Sequence, residues 1–269
     1  MKADIRPFGE RAWPDLKRAR DRGRGPERVC LLPVGAIEQH GPHLPVDTDA
    51  RIADALCRAA AARTGCLSLP VLAYGCSFGH GEAWPGTLSL DPATLTRTVR
   101  EIGRWLLATG FDRLLIVNSH FGNWAALKCG IDHLRLEHAA AIHVGAVNSW
   151  EITRGVKEWF LSDGDDIHAN RAETSLIMHL APELVPRRRV KDADDPDRTD
   201  GLVFTWLVPQ TSRNGVTGRP SLASPEEGRT RFDEMADALA LRVRRAAVEE
   251  APIRWRRRRG AVLPVIQGD

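Results

Sequence analysis

Short apolar runs alternate with amphipathic stretches along most of the sequence. "RVCLLPVGA" (28–36) is apolar throughout and closes at Gly35, so it predicts a buried strand. "TDARIADALCRAAAARTG" predicts a helix with Ile52, Leu56 and Ala59 on one face and Gly65 as its stop. "CLSLPVLAYG" (66–75) predicts a second strand. In "LDPATLTRTVREIGRWLLATG" Asp91 is the expected N-cap and Pro92 the first helical residue. Leu95, Val99, Ile102 and Leu106 form the inner stripe, and Gly110 ends the helix. "RLLIVNSH" (113–120) predicts a third strand, continuously apolar as inside a parallel sheet. A helix over 123–138 should carry Trp124, Leu127, Ile131 and Leu134, followed by a fourth strand in "AAIHVGAVNSW" (140–150). A helix through "AETSLIMHLA" and a long one from Ser224 complete the pattern. "SPEEG" gives the latter a capping box of Ser224 and Glu227, with Pro225 as its first residue.

Strands that alternate with helices imply an α/β fold. The expected arrangement is three-layer α/β/α with a mainly parallel central sheet, joined by right-handed crossovers. The 269 residues, 43% of them hydrophobic, are enough to bury a real core, and a single domain over 1–269 is expected. No run of about 18 apolar residues occurs, so no membrane partner is expected. "MKADIRPFGERAWPDLKR" lacks the apolar stretch of a secretory signal. The five cysteines are scattered and include no CxxC, which suits reduced thiols in a cytoplasmic protein. The net charge of +3 is modest. The basic runs "KRARDRGRGPER", "PRRRVK" and "RWRRRR" read as solvated faces or tails, since no aromatic-interleaved module accompanies them to bind nucleic acid.

The chemistry concentrates at strand ends. Glu38 and His40 follow the first strand, Ser77 and His80 the second, and His120 ends the third. In parallel sheets this carboxyl edge is where ligands bind. Glu38 and His40 are two apart, so in extended chain both side chains point the same way. Asp49 stands at the start of the next helix, where backbone N–H groups favour a carboxylate. His120 could complete a metal site, and mixed histidine and carboxylate ligands suit zinc, manganese or iron. Each residue alone could equally be a capping carboxylate or a surface histidine; their recurrence at strand ends is what favours a site.

"GAIEQHGPHLPVDTD", "YGCSFGHGEAWPGTLSL", "VNSHFGN", "HANRAETSL" and "NGVTGRPSLASPEEG" resemble, in order, the signature blocks of the creatininase family of metal-dependent amidohydrolases. The resemblance spans about 28–250 and leaves a basic tail over 252–269. It implies two divalent ions per chain (zinc, manganese or iron). Glu38, Asp49 and His120 would hold one, and His40 and Asp49 the other, with Asp49 bridging. A metal-bridging hydroxide would attack a small-molecule amide, and His168 would transfer the proton. Creatininase proper has a metal-binding glutamate where Gly122 stands, so Glu173 is expected to complete the second site as metal ligand and catalytic residue. Ser77, His80 and Trp150 match substrate-contacting positions, and His43 would orient the first ligand block. Cys76 borders this pocket, and a thiol nucleophile there is conceivable but less expected. Creatininase also has a gating tryptophan where Gly164 stands. Both departures argue against creatinine as substrate.

The expected activity is hydrolysis of another non-peptide C–N bond, in a cyclic amide, a formamide or a small amide. The alternatives are a relative that trims a modified peptide in cofactor maturation, or an inactive metal-binding scaffold. A homo-oligomer, a hexamer, is implied by the same resemblance.

Overall fold

The apolar run after Arg28 forms β1 (Val29–Val34), buried at every position. The computed structural model describes residues 6–23, 25–138 and 141–253. Within them, β1 pairs in parallel with β2 (Leu67–Ser68) on one side and β3 (Arg113–Asn118) on the other. β3 pairs in parallel with β4 (His143–Asn148), giving the order β2-β1-β3-β4.

Side-chain alternation explains why these strands are apolar on both faces. Val29, Leu31 and Val117 enter one core with α2 (Thr48–Thr64), α5 (Arg154–Phe160), α6 (Arg171–Leu180) and α7 (Pro225–Ala246). Cys30, Leu32, Val34, Leu114 and Ile116 enter the other with α3 (Pro92–Ala108) and α4 (Trp124–His138), to which α1 (Trp13–Arg22) adds Leu16 and Ala19. The result is the three-layer α/β/α arrangement that the sequence predicts. From β1 the chain crosses to β2 on one side and then to β3 on the other. At such a switch point the carboxyl ends of neighbouring strands open a crevice. Glu38 and His40 leave β1 there, and His120 leaves β3.

Several helix ends follow their local chemistry. Asp91 accepts from Ala93 N to start α3, and α2 stops at Gly65 in a left-handed conformation (φ 79°). The Ser224 hydroxyl accepts from Glu227 N, but the capping box is only half formed. The Glu227 carboxylate turns instead to the Arg171 guanidinium, which grips both of its oxygens.

The structure departs from the expected pattern in four places. The second strand shrinks to two residues: Leu69 N still donates to Leu31 O (2.9 Å), but the next donor in register would be Pro33 on β1, which has no N–H, and the chain rejoins β1 at Leu72, whose N donates to Pro33 O at 2.9 Å. Trp124 is not part of the inner stripe of α4. It opens that helix, just after the turn from Phe121 to Asn123, and is 42% exposed. The helices α1 and α5 were not expected: the first is masked by its charge, the second by its seven-residue length. "RWRRRR" and nearly all of the expected tail lie outside the described residues. No helix among the described residues is long and apolar enough to cross a membrane.

Candidate metal centre

The loop after β1 is tied down at both ends of its chemistry. Glu38 N donates to Val46 O (2.9 Å), and Leu88 N to Ile37 O (2.9 Å). This places Glu38, His40 and, in the first turn of α2, Asp49 so that one donor atom of each lies within 4.8 Å of the others. His40 Nε2 is 3.3 Å from Asp49 Oδ1, while His120 Nδ1 is 3.2 Å from Asp49 Oδ2 and 3.3 Å from Glu38 Oε1. One aspartate thus faces both histidines, one oxygen to each.

Glu173 and His168 arrive together at the start of α6. Asn170 caps that helix by accepting from Ala172 N and Glu173 N. Ala169, at φ 49°, turns the chain sharply enough for its N–H to reach back to Glu173 Oε2 at 2.6 Å. His40, His168 and Glu173 form a second trio within 4.8 Å, and Glu38, His80 and His168 a third.

All of these side chains are buried, Glu38, His40 and Asp49 to 1% exposure each. Buried charges are costly unless paired. Here Glu38 Oε2, Asp49 Oδ2 and His40 Nε2 are buried with no hydrogen-bond partner. Their protonation reflects this crowding. Burial works against the Glu38 charge, yet His120 and His80 hold its carboxyl well below the usual range. Burial, helped by Asp49 and Glu38 and opposed by His40, pushes Glu173 up to about 8. Burial likewise opposes charge on His40, but Asp49 and then Glu173 and Glu38 raise it to about 10. Burial, then His80 and His40, push His168 well below the ordinary histidine value. A divalent cation among these unpaired oxygens and imidazole nitrogens would satisfy them, and the donor set is one that zinc or manganese accepts.

The structure brings Glu38, His40, Asp49, His120, His168, Glu173 and His80 into one cluster. Ser77 lies at its edge, with Oγ 3.5 Å from His120 Nε2. Trp150 is buried against Phe121, the residue after His120, with ring centroids 5.8 Å apart. His43 Nε2 is 2.8 Å from Thr174 Oγ1, so it braces α6 beside Glu173. Cys76 is buried and its thiol is raised by burial, the wrong direction for a nucleophile. It contributes through its backbone: its carbonyl accepts from His120 Nε2 at 2.8 Å.

Gly122 and Gly164 are both closely packed. A Cβ at Gly122 would stand 2.2 Å from Cys76 O and 2.6 Å from His120 Nε2, so a side chain does not fit. At Gly164 (φ 156°) a Cβ would stand 2.8 Å from Asp197 Cβ, whose carboxylate accepts from Asp165 N and Asp166 N.

Sequence reasoning missed the amides that hold this edge together. Asn118 Oδ1 accepts from His120 N and from Asn123 Nδ2, and Asn118 Nδ2 donates to His120 O. Asn123 Oδ1 accepts from Cys76 N, and its Nδ2 also reaches Gly35 O. Gln39 was missed as well. It is buried between His80 and His168, with Nε2 at 3.0 Å from His80 Nδ1 and 2.9 Å from His168 Nε2. Its place between two candidate ligands, Glu38 and His40, is the one signal that could have found it.

Comparison with known proteins gives a consistent picture. The family model described as "Creatininase: Creatinine amidohydrolase" matches residues 9–243. The mycofactocin precursor peptide peptidase of Mycobacterium ulcerans is 37% identical, covering 80% of this chain and 84% of that protein. The creatinine amidohydrolase of Pseudomonas putida is 34% identical, covering 88% and 95%. A solved structure of creatininase with manganese superposes with a TM-score of 0.79 at 32% identity, over 90% of this chain and 98% of that one. A mutant creatininase of Zn-Zn type gives 0.80 at 31%, over 92% and 100%.

Proposed function

The chain belongs to the creatininase family, and we propose that it is a metal-dependent hydrolase that cleaves a C–N bond in an amide other than creatinine. The observation that carries this reading is the buried set Glu38, His40, Asp49 and His120, in which Glu38 Oε2, His40 Nε2 and Asp49 Oδ2 have no hydrogen-bond partner. Glu38, Asp49 and His120 would hold one ion, and His40, Asp49 and Glu173 a second. Bound divalent cations supply a water acidic enough to act as nucleophile at neutral pH and polarise the scissile carbonyl. Asp49 orients both histidines, each by a different oxygen. His168, buried and held neutral, would accept the proton given up by the attacking water and pass it to the leaving nitrogen. Ser77, His80 and Trp150 would contact the substrate.

Gly122 and Gly164 support a substrate other than creatinine, because neither position admits the side chain that creatininase proper carries there. A second reading, trimming of a modified peptide, is favoured by the 37% identity to a peptide peptidase. We also propose that the protein works in the cytoplasm as a homo-oligomer; mass measurement in solution tests the assembly.

The deciding experiment is elemental analysis of purified protein, followed by a panel of lactams, formamides, short peptides and creatinine. Bound zinc or manganese, with turnover of a panel member other than creatinine, is the expected result. No bound metal after incubation with zinc, manganese or iron would end this reading, and so would efficient creatinine hydrolysis. His168→Ala should lower turnover about 10²–10⁴-fold with metal content intact.

A further inference from the structure

His40 and His120 share a feature. In each, the nitrogen turned away from Asp49 meets a backbone carbonyl: Glu38 O at 3.1 Å from His40 Nδ1, and Cys76 O at 2.8 Å from His120 Nε2. A carbonyl can only accept. Those two nitrogens therefore carry a hydrogen, so in the neutral ring it is His40 Nε2 and His120 Nδ1 whose lone pairs face Asp49. That is the form a metal-bound imidazole takes, with its other N–H given to an acceptor.

His80 is set the other way. Its Nδ1 lies 3.0 Å from Gln39 Nε2. The orientation of the Gln39 amide is fixed from outside the cluster. Its Oε1 accepts from Gly41 N at 2.9 Å. Gly215, at φ 80°, closes over the same oxygen, and a Cβ there would stand only 2.0 Å from it. Gln39 N is anchored in turn, donating to Thr87 Oγ1 at 3.1 Å. With Oε1 committed to Gly41, the group facing His80 is the amide NH₂, which can only donate. His80 Nδ1 must be the acceptor, so its hydrogen sits on Nε2. That nitrogen lies 3.2 Å from Glu38 Oε2.

We propose that Gln39 is a positioning residue that fixes His80 as the Nε2–H tautomer, so that His80 serves the centre as a hydrogen-bond donor and not as a metal ligand. Distance alone would allow Glu38, His80 and His168 to share an ion. The tautomer forbids it, because the nitrogen nearest Glu38 has no lone pair to give. The group such a donor recognises is an acceptor oxygen, as on the carbonyl of an amide. His168 differs again. Its Nε2 is 2.9 Å from Gln39 Nε2 and 2.9 Å from Gln39 O, a donor and an acceptor on one residue. Either tautomer of His168 is therefore satisfied. The role given to His80 rests on the metal-centre reading above; its tautomer does not.

The test starts with wild-type protein, metal-free and labelled with ¹⁵N at histidine. Magic-angle spinning NMR reads which ring nitrogens are bare, and a His80→Gln variant assigns the signals. The expected spectrum has His80 bare at Nδ1 and protonated at Nε2. Gln39→Glu replaces the donor with an acceptor of the same shape, so it should invert the His80 tautomer and lower turnover about 10–100-fold. His80→Ala should keep the wild-type zinc content, whereas His120→Ala should lose zinc. Three results would each overturn the proposal: wild-type His80 bare at Nε2, an uninverted tautomer in Gln39→Glu, or zinc loss in His80→Ala equal to that in His120→Ala. If Gln39→Glu does not fold, the wild-type spectrum and the zinc comparison still decide. Wild-type protein that binds no zinc, yet shows the expected spectrum, would sink the metal-centre reading while the tautomer assignment stood.

Discussion

Substituting Gly122 with alanine should damage both the fold and the metal centre. The added Cβ would stand 2.2 Å from Cys76 O, and real Cβ contacts essentially never fall below 3.0 Å, so 3.0 less 2.2 leaves 0.8 Å of movement to be found. The obstacle is backbone, which cannot swing aside as a flexible side chain would. The same oxygen accepts from His120 Nε2 at 2.8 Å, and the new carbon would also press on that nitrogen from 2.6 Å. Overpacking of this kind costs about 1–3 kcal/mol, and a weakened buried hydrogen bond about 0.5–1.5 kcal/mol more. The sum is about 1.5–4.5 kcal/mol. At roughly 2–4 °C per kcal/mol for a chain of this size, melting should fall by about 3–18 °C. The assay is thermal unfolding of the metal-free protein, with a zinc titration alongside. Because His120 loses its fixed orientation, zinc should bind about 10–100-fold more weakly. Gly122→Glu returns the residue of creatininase proper, but it meets the same carbonyl and should melt at least as low. The reasoning fails if Gly122→Ala melts within about 2 °C of wild type and binds zinc as tightly.

Three further outcomes are expected. Asp49→Ala should remove nearly all bound metal, since one oxygen of Asp49 faces His40 and the other His120, whereas His120→Ala should leave part of it; equal losses would contradict a bridging role. Native protein should react quickly with a thiol reagent at Cys129 alone, because Cys30, Cys57, Cys66 and Cys76 are buried, and peptide mapping of the labelled protein checks this. Asp195 accepts from Arg198, Ser212 and Arg213 N; against the effect of burial, Arg198 holds its carboxyl below the ordinary range. A depressed folded value stabilises above the unfolded pKa and is lost as pH falls through the folded one. Asp195→Asn should therefore destabilise near pH 7 and matter progressively less below about pH 4, read by denaturant unfolding at each pH.

Legibility in the sequence tracked how local the cause was. β1, β3, α2 and α3 could be read because their apolar spacing, caps and stops lie within each segment. Glu38, His40, Asp49 and His120 could be read because a parallel sheet gathers whatever follows its strands. Other features depend on approach in three dimensions. Pro33 cuts β2 short only because the two strands lie side by side. Trp124 looks like a core residue until α4 is seen to begin there, at the solvent end. Asn123 and Gln39 are polar residues with partners in other loops, and Asn118 grips the turn that follows it, so periodicity carries no trace of their work. Glu173 and His168 were reachable through family resemblance but not through spacing.

The parallel pairing of β1 with β3 also orders events in time. Val29 meets Arg113 only after the whole crossover through β2 and α3 has been drawn in, and such long-range pairing is slow to nucleate. Asp49 and His120, on opposite sides of that crossover, are distant in the unfolded chain and adjacent only when the sheet has closed. Glu173 arrives from later still, with α6. Only Glu38, His40 and Asp49 lie close along the chain, so a metal ion finds its full ligand set only in the finished sheet. It can act only as a late lock, slowing unfolding of the finished protein more than it speeds refolding. In stopped-flow refolding, added zinc should leave the fast phase unchanged and lengthen the native lifetime.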